Sequence, residues 1–559
     1  MPEPFALASQ ITVKINDNEV PPDVMGNVLS VEVDQHAHLP DMLVIRLQDP
    51  ELHLLDEGPF DLTKEVEISA ETEEGTRITL MKGEITALEP EFQDGMLARL
   101  VVRGYDRSHR LYREMKSQAH LNKKDSDLAQ EIAQSAGLQT EVSATTTVYD
   151  HIFQDNQSDL DFLQERARRI GYECFVHEGK LVFRQPTAQG TGVTLTWGED
   201  LLSFYPRMNL AEQVDEVIVR GWSVEQKAPI VGRAQQGSLY PAIQESRDGA
   251  TWAQAFGRGR RAILDENPSD QAEADALAEA RLRELSGAFV QAEGTALRRP
   301  DIRAGATVTL EALGYRFSGT YRVTGAHHSY TAEGLRTTFR VHGLRTGHLI
   351  DDLGLQERPR YPGAVVAVVT NTDDPQNCGR VKVQFPWMSE DAESNWARVI
   401  SAGAGPEAGL FFIPDVGDEV IVVFEHGDFQ RPYILGGVWN GADHLPPEAP
   451  NGGAERPLVR SWRSRTGHRI TVYDTAENKV EIITNGGQQI VLNDADREIT
   501  VTTSGGLVIC LADGDGKITV EGNEIELKAN GSLKIQSGAN MDLQAGGQVS
   551  IKGAMINLN

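Results

Sequence analysis

The chain has 559 residues, which is too long for one ordinary core and predicts about three to five domains. Its formal net charge of −29, from 82 acidic and 53 basic residues, disfavours binding to nucleic acid or to an anionic membrane surface. The three cysteines, Cys174, Cys378 and Cys510, lie far apart in the sequence. They therefore predict small buried side chains and exclude a disulfide framework.

Targeting signals are also missing from the sequence. No apolar run is long enough to span a bilayer, and the start, MPEPFALASQ, lacks the charged and apolar regions of a signal peptide. We therefore expect a soluble protein that is made in the cytoplasm.

Residues 1–115 alternate apolar and polar positions between turn residues, which is typical of β-strands. The predicted strands are Ile11–Ile15, Leu29–Val33, Met42–Leu47, Glu65–Ala70 and Met96–Gly104. They predict an antiparallel sheet or a first β-barrel.

A helical period replaces the strand pattern between residues 116 and 190, which predicts an α/β insertion. Apolar residues at helical spacing predict two helices, with Leu128, Ile132 and Ala136 on the first and Leu160, Leu163, Ala167 and Ile170 on the second. Ser158 is a suitable N-cap for the second helix, and Gly171 is a suitable stop.

Residues 191–350 return to strand patterns, beginning at Glu216–Gly221. An alanine-rich helix is predicted from Gln271 to Leu285, and further strands follow it. The segment therefore predicts a second β-barrel with a helical excursion.

Residues 358–446 form a compact group of five or six short strands punctuated by glycine. Strands so closely spaced suggest a small closed barrel of the OB type. The segment Leu445–Pro457, rich in proline and glycine, is the expected linker after it.

Residues 447–559 comprise this linker and a repetitive segment that has no aromatic residue after Tyr473. The recurring apolar pairs are Ile518/Val520, Ile525/Leu527, Leu533/Ile535, Met541/Leu543, Val549/Ile551 and Ile556/Leu558. Each unit, a three-residue strand and a short turn, is too small to bury its own pair, so units must stack. We expect a β-helical prism whose interior is shared by three chains.

Two stretches resemble a known family. The first, Gln154–Phe183, is similar to the signature of phage late control D proteins and of the VgrG spikes of type VI secretion. The second, Tyr361–Trp387, is similar to the OB-fold base of the same spikes, and the similarity continues to Gly441. The stretch Leu39–Leu62 looks more like the spikes of extracellular contractile injection systems.

The resemblance implies a mainly β architecture: hub β-barrels with helical insertions, an OB-fold barrel and a C-terminal trimeric β-helix. Residues 1–115 and 191–350 would be the hub barrels, 116–190 the insertion, 358–446 the OB domain and 447–559 the linker and spike. It implies a structural hub-and-spike protein of a contractile injection particle, released outside the cell. Its partners would be two further copies, inner-tube and baseplate proteins, a PAAR-type tip protein, an effector cargo and, mechanically, the target membrane.

Specific residues follow from these expectations. Ile421 and Val423 would point out of the barrel and are too apolar for the surface of a lone subunit. With them, the expected trimer-interface residues are Ile525, Leu527, Leu533, Ile535, Met541 and Leu543. The expected tip-binding residues, at an end without a capping unit, are Val549, Ile551, Ile556 and Leu558.

The arginines of the helix motif leave two alternatives open. Arg166, Arg168 and Arg169 could form ion pairs between subunits, but a solvated helix face is the preferred interpretation.

The sequence gives little support for a catalytic site or a metal site. His36 and His38 would share one face of a strand, yet no third ligand stands nearby, and the adjacent His327 and His328 would point to opposite faces. The gap from Gly441 to Pro457 is too short for a wall-cleaving domain, and no nucleophile or phosphate-binding motif is present. We therefore expect no cofactor and no catalysis. The alternative is a β-helical carbohydrate-active enzyme or adhesin, which the short turns disfavour.

Overall fold

The computed structural model describes residues 10–94, 97–186, 192–235, 242–264, 266–343, 361–389, 392–448 and 458–558. The expectations for residues 1–9, Met96, the linker from residue 449 onward and Asn559 lie outside these residues. The chain divides into two compact units, Met1–Val438 and Trp439–Asn559. As predicted, the fold is mainly β with few helices.

The first segment is built from strands, as its alternating pattern predicts. Its strands, β1–β7, are Ile11–Ile15, Asn18–Glu19, Val28–His36, Met42–Gln48, Glu65–Glu71, Arg77–Gln93 and Leu97–Asp106. Two short helices, α1 and α2, span Pro22–Met25 and His53–Asp56. Leu43, Ile45 and Ile68 are fully buried in the core of this segment.

The predicted insertion contains both helices. A 3-10 helix at Arg107–Tyr112 leads into it, and its strands, β8–β12, are Met115–Lys123, Gln139–Val142, Tyr149–Ser158, Glu173–His177 and Lys180–Arg184. Helix α3 spans Asp125–Ser135 and α4 spans Asp159–Arg169. Ser158 is the N-cap of α4 and accepts a hydrogen bond from the amide of Asp161, whereas Gly171, with φ of +68°, follows its end. Both capping predictions are therefore confirmed.

The described residues of the next segment form eleven strands and the alanine-rich helix. Its strands, β13–β23, are Val193–Thr196, Leu201–Met208, Glu216–Ser223, Ala228–Ala234, Ala242–Ile243, Arg260–Ile263, Val290–Leu297, Thr307–Glu311, Gly319–Arg322, Gly325–Thr331 and Gly334–Val341. Its helices, α5–α7, are Gly249–Ala253, Gln271–Gly287 and Gly314–Phe317, with a 3-10 turn at Gln254–Phe256.

One large sheet joins the first of these segments to the third. It has eleven strands in the order β14-β19-β23-β22-β3-β4-β7-β6-β5-β1-β2. The joint is the antiparallel pair β3 and β22, where Val33 lies opposite His328. Each edge strand at the joint thereby finds a partner within the chain, which removes two open edges.

The OB-type barrel is closed, as predicted. Its five strands follow the order β24-β25-β26-β30-β29. The strands of this segment, β24–β30, are Val365–Asn371, Arg380–Gln384, Ala397–Val399, Ala404–Gly405, Ala408–Gly409, Glu419–Phe424 and Pro432–Gly437, with a 3-10 turn at Glu425–Gly427. Its interior contains the fully buried Val381, Val383, Val420 and Val422.

The second unit contains one long antiparallel sheet, in which each strand pairs with the next along the chain. Its strands, β31–β37, are Val459–Arg463, Arg469–Tyr473, Lys479–Ile483, Gln489–Asn493, Glu498–Thr502, Val508–Ala512 and Lys517–Glu521. None of the described residues from 522 to 558 belongs to a strand. The three-residue strands predicted beyond Glu521 are therefore absent from a single chain, because so few ladder bonds do not offset the entropy of ordering them.

Candidate assembly surfaces

The side chains of strand β29 alternate between the barrel interior and its outer face, as the sequence pattern predicts. Val420, Val422 and Phe424 point into the barrel and are buried, whereas Ile421 and Val423 lie half-buried on its outer face. Ile421 lies directly opposite Val366 of β24, which is 40% exposed. The structure thus places both predicted interface residues on the outside of the barrel.

The sheet of the second unit carries two continuous apolar rows. Residues at the second and fourth positions of each strand lie directly opposite their counterparts on the next strand. The first row consists of Trp462, Ile470, Ile482, Ile490, Val501, Ile509 and Val520. The second row begins at Val472 and continues through Val480, Leu492, Ile499, Leu511 and Ile518.

Both rows lie on the same face of the sheet, because alternate residues of a strand share a face. This face is exposed: Ile490 is 39% accessible, Leu511 is 41% and Ile509 is 48%. A continuous apolar face of this kind marks an interaction site. It also shows that the repetitive pattern begins well before Ile518, since apolar pairs such as Ile470/Val472 and Val480/Ile482 recur about every ten residues.

The remaining predicted interface residues follow the sheet in sequence. Ile525, Leu527, Leu533, Ile535, Met541 and Leu543 are all exposed, at 48% to 71%. The four predicted tip-binding residues, Val549, Ile551, Ile556 and Leu558, are exposed as well, at 48% to 88%. One chain therefore leaves each of these apolar side chains exposed to solvent.

The arginines of the helix motif contradict the preferred sequence interpretation. Arg166 is 5% exposed, and its Nε donates to Asp125 Oδ1 at 2.6 Å. Arg169 donates to Glu266 Oε2 at 2.9 Å and to Glu273 Oε1 at 2.7 Å. The interpretation of a solvated face is wrong for both residues, because α3, α6 and the loop before α6 cover this side of α4 with carboxylates.

The ion pair with Arg169 lowers the pKa of the Glu273 carboxyl. Burial raises the pKa of its carboxyl, but Arg169 and the hydroxyl and amide of Ser269 outweigh that effect and lower the pKa to about 2. The cluster therefore holds α4 and α6 together within one chain.

The turn before β25 is organised by Asp374. Its carboxylate accepts hydrogen bonds from the amides of Gln376 and Cys378 at 3.1 and 2.8 Å. The guanidinium of Arg380 donates to the same carboxylate at 2.6 and 3.1 Å, which holds the pKa of Asp374 well below its usual range. Gly379, with φ of +69°, completes the predicted turn.

The histidine pairs behave as packing and hydrogen-bonding residues. His327 faces Asp34, with Nδ1 and Oδ1 2.7 Å apart, whereas His328 is buried and lies 2.9 Å from Thr337 Oγ1. They point to opposite faces, as predicted. His36 Nδ1 accepts a hydrogen bond from the amide of His38. Among the described residues, no group of three or more His, Cys, Asp or Glu is placed to hold a metal ion.

The cysteines differ in their surroundings. Cys174 is buried, and burial raises the pKa of its thiol well above the usual value. Cys378 is exposed in the turn organised by Asp374, so the expectation of a buried side chain is wrong there. Cys510 is intermediate, and all three are free.

Two family models match the chain. The model described as the Alg8 N-terminal domain covers residues 7–332, which is more than half of the chain. The chain belongs to this family. Later in the sequence, the model described as the type VI secretion system/phage-baseplate injector OB domain covers residues 365–439, which form the closed barrel.

Curated relatives include spike proteins of type VI secretion systems. VgrG3 of Vibrio cholerae is 30% identical over 134 residues, which cover 22% of this chain and 13% of that protein. VgrG4b of Pseudomonas aeruginosa is 41% identical over 101 residues, covering 17% and 12%. The matches thus span a small part of the relatives' own length. Together with the injector OB domain, they confirm the resemblance to the VgrG and phage-baseplate spike family.

Solved structures share the fold. A chain of the lidded Francisella PdpA–VgrG complex matches with a TM-score of 0.51 at 9% identity, over 88% of this chain and 79% of that chain. A chain of the lidless PdpA–VgrG complex matches with a TM-score of 0.50 at 8% identity, over 89% and 99%. At this identity the likeness extends to the fold alone.

Proposed function

We propose that this chain forms the homotrimeric hub and spike of a contractile, phage-tail-like injection particle. The first unit would provide the hub and collar that connect the inner tube to the needle, and the second unit would provide the membrane-piercing needle. The similarity to curated spike proteins supports this role, and the match of the closed barrel to the injector OB domain supports it further.

The observation that carries the proposal is the apolar face formed by the two rows on β31–β37. A monomer would expose this face to water along the whole sheet, at a cost of about 25 cal/mol for each Å² of apolar surface. Three chains wound around one axis would bury all of their rows together. They would also supply the strand partners that residues 522–558 lack in one chain.

The oligomeric mass tests the proposal directly. Light scattering of the full-length protein should give three times 61.4 kDa. A stable monomer that retains its C-terminal sheet, as judged by hydrogen exchange of β31–β37, would contradict the proposal.

The proposed partners are inner-tube and baseplate proteins, a PAAR-type tip protein and an effector cargo. The Francisella VgrG has been solved in a complex with PdpA, which shows that a relative of this fold binds a further protein. For this chain, the exposed residues Ile556 and Leu558 support a tip-binding role.

We also propose that the particle acts outside the cell that makes it and that the chain itself catalyses nothing. None of the helices that the structure describes is long and apolar enough to cross a membrane. Purified protein should neither clear peptidoglycan nor cleave common polysaccharides. Reproducible turnover that a single carboxylate substitution abolishes would favour the enzyme alternative.

A further inference from the structure

A cleft within the first unit lies between the OB barrel and the hub. Its volume is about 800 Å³, within the range of sites that hold small ligands. Strands β25 and β26 and the barrel loops 372–379 and 425–431 contribute to one wall. Strand β10, helix α4 and the segment around Trp222 contribute to the other. The proposed role as hub and spike does not use this cleft.

The position of the cleft on the barrel is informative. OB barrels bind oligosaccharides and oligonucleotides on the face of their second and third strands and on the loops that follow the first and fourth. In this chain those elements are β25, β26 and the two loops 372–379 and 425–431. Since a fold does not assign a function, the side chains must decide whether the face binds anything.

The barrel wall combines aromatic rings with positive charge. The guanidinium of Arg380 and the ammonium of Lys382 lie 5.6 and 5.5 Å from the ring centre of Trp396. Arg398 lies 5.4 Å from the ring centre of Tyr433 and is exposed. This wall offers a flat ring to pack against a sugar and cations to bind an anionic group.

The hub wall contributes buried polar atoms that lack partners. Asp155 is 7% exposed; its Oδ1 accepts a hydrogen bond from the hydroxyl of Tyr361 at 3.0 Å, but its Oδ2 has no partner among the described residues. Arg166 is 5% exposed, stacks on the ring of Tyr149 and donates through Nε to Asp125, whereas its Nη2 has no hydrogen-bond partner among the same residues. Buried polar atoms without partners are costly, and a ligand could satisfy both.

We propose that this cleft binds an oligosaccharide that carries carboxylate or phosphate groups. A sugar hydroxyl would donate to Asp155 Oδ2, and the anionic group would accept from Arg166 Nη2 and from Arg398. A nucleic acid fits less well, because its phosphate backbone offers few hydroxyl donors to the carboxylates of Asp155, Glu225 and Asp270, which also line the cleft. Sugar hydroxyls, in contrast, donate readily to carboxylates.

Calorimetric titration of the full-length protein tests the proposal. The probes are hexagalacturonate, which carries carboxylates, and phosphorylated pentamannose, which carries phosphate; the comparison of the two identifies the anionic group. Neutral maltohexaose should bind at least about tenfold more weakly than the preferred anion, because it lacks a charge-assisted hydrogen bond. Arg398→Ala should lower the affinity for the preferred anion by a similar factor. The variant should fold normally, since Arg398 is exposed.

Two controls separate binding at the cleft from general attraction. Arg258→Ala removes an exposed arginine that does not line the cleft and should leave the affinity unchanged. Asp155→Asn should weaken binding while the chain keeps its fold, as judged by circular dichroism.

Four results would overturn the proposal. The first is no heat of binding with either anion up to about 5 mM, and the second is an equal loss of anion affinity in Arg398→Ala and Arg258→Ala. The third is an affinity for maltohexaose equal to that for the anions, and the fourth is preferential binding of a thymidine hexanucleotide. The last of these would assign the cleft to single-stranded nucleic acid.

Discussion

Arg169 of α4 donates through Nη2 to Glu273 Oε1 of α6 at 2.7 Å, and so links two helices that lie far apart in the sequence. Both residues are largely buried, and Glu266 accepts a second bond from the same guanidinium. Breaking a buried pair leaves an uncompensated charge, which is far more costly than losing an exposed pair.

We predict that Glu273→Gln destabilises the hub by about 3 kcal/mol at neutral pH. Because folding lowers the pKa of Glu273 from 4.5 to about 2, its stabilising effect is complete above pH 4.5 and is lost as the pH falls towards 2. Urea unfolding at pH 7 and pH 3 should therefore show a smaller difference between variant and wild type at the lower pH. Glu279→Gln, on an exposed part of the same helix, is the control. A pH-independent difference would contradict the ionic origin of the effect.

The Asp374 turn supports a second prediction. Asp374→Asn removes the charge that Arg380 and three backbone amides share, and should lower the free energy of unfolding of the barrel by about 2 kcal/mol. Because the pKa of Asp374 is lowered on folding, the stabilisation is present at neutral pH and is lost in acid. Asp373→Asn alters the preceding exposed carboxylate and should change little. Equal effects of the two substitutions in chemical denaturation would refute the role of Asp374.

The apolar rows support a third prediction. The double substitution Ile482→Asp and Ile490→Asp places two charges in one row, where neighbouring chains would bury them, and should abolish the trimer. Thr500→Asp lies at the middle position of β35, on the opposite face of the sheet, and should preserve it. Sedimentation velocity distinguishes the two. If the double variant remains trimeric, the rows do not form the shared interior.

The exposed apolar residues Ile556 and Leu558 support a fourth prediction. Ile556→Asp and Leu558→Asp together should leave the trimer intact, since the preceding units still stack, but should abolish binding of a PAAR-type tip protein. The control is Asn557→Asp, which adds one charge between the two positions without removing an apolar side chain. Capture of the tip protein by the double variant at the level of wild type in a pull-down would show that these residues are dispensable.

Local signals predicted much of this fold. Ser158 and Gly171 delimit α4 because capping depends on a few neighbouring residues. Alternation predicted the buried and outward faces of β29, since one buried face fixes the register of a strand, and the close spacing of short strands predicted the closed barrel. Strand β6, from Arg77 to Gln93, was missed because Gly83 and Pro90 interrupt its pattern.

Long-range features escaped prediction. The burial of Arg166 and Arg169 depends on carboxylates of α3 and α6, which lie elsewhere in the sequence. No local sequence pattern around the arginines indicates these ion pairs. The cleft between hub and barrel likewise has walls from segments more than a hundred residues apart. The rows on β31–β37 did have a signal, the apolar pairs about ten residues apart, but it is weaker than the tighter spacing after Ile518.

The uniformity of the two apolar rows has a consequence for assembly. From Ile470 to Val520 the first row contains only isoleucine and valine. If one chain were shifted by two strands along another, isoleucine and valine side chains would therefore still contact isoleucine and valine side chains. Such an interface cannot define its own alignment, because each shifted arrangement buries nearly the same surface. Trp462 differs from the rest of its row and lies on its first strand. In the proposed trimer, the chains would therefore be aligned first at Trp462, and the strands that follow it in the sequence would associate afterwards.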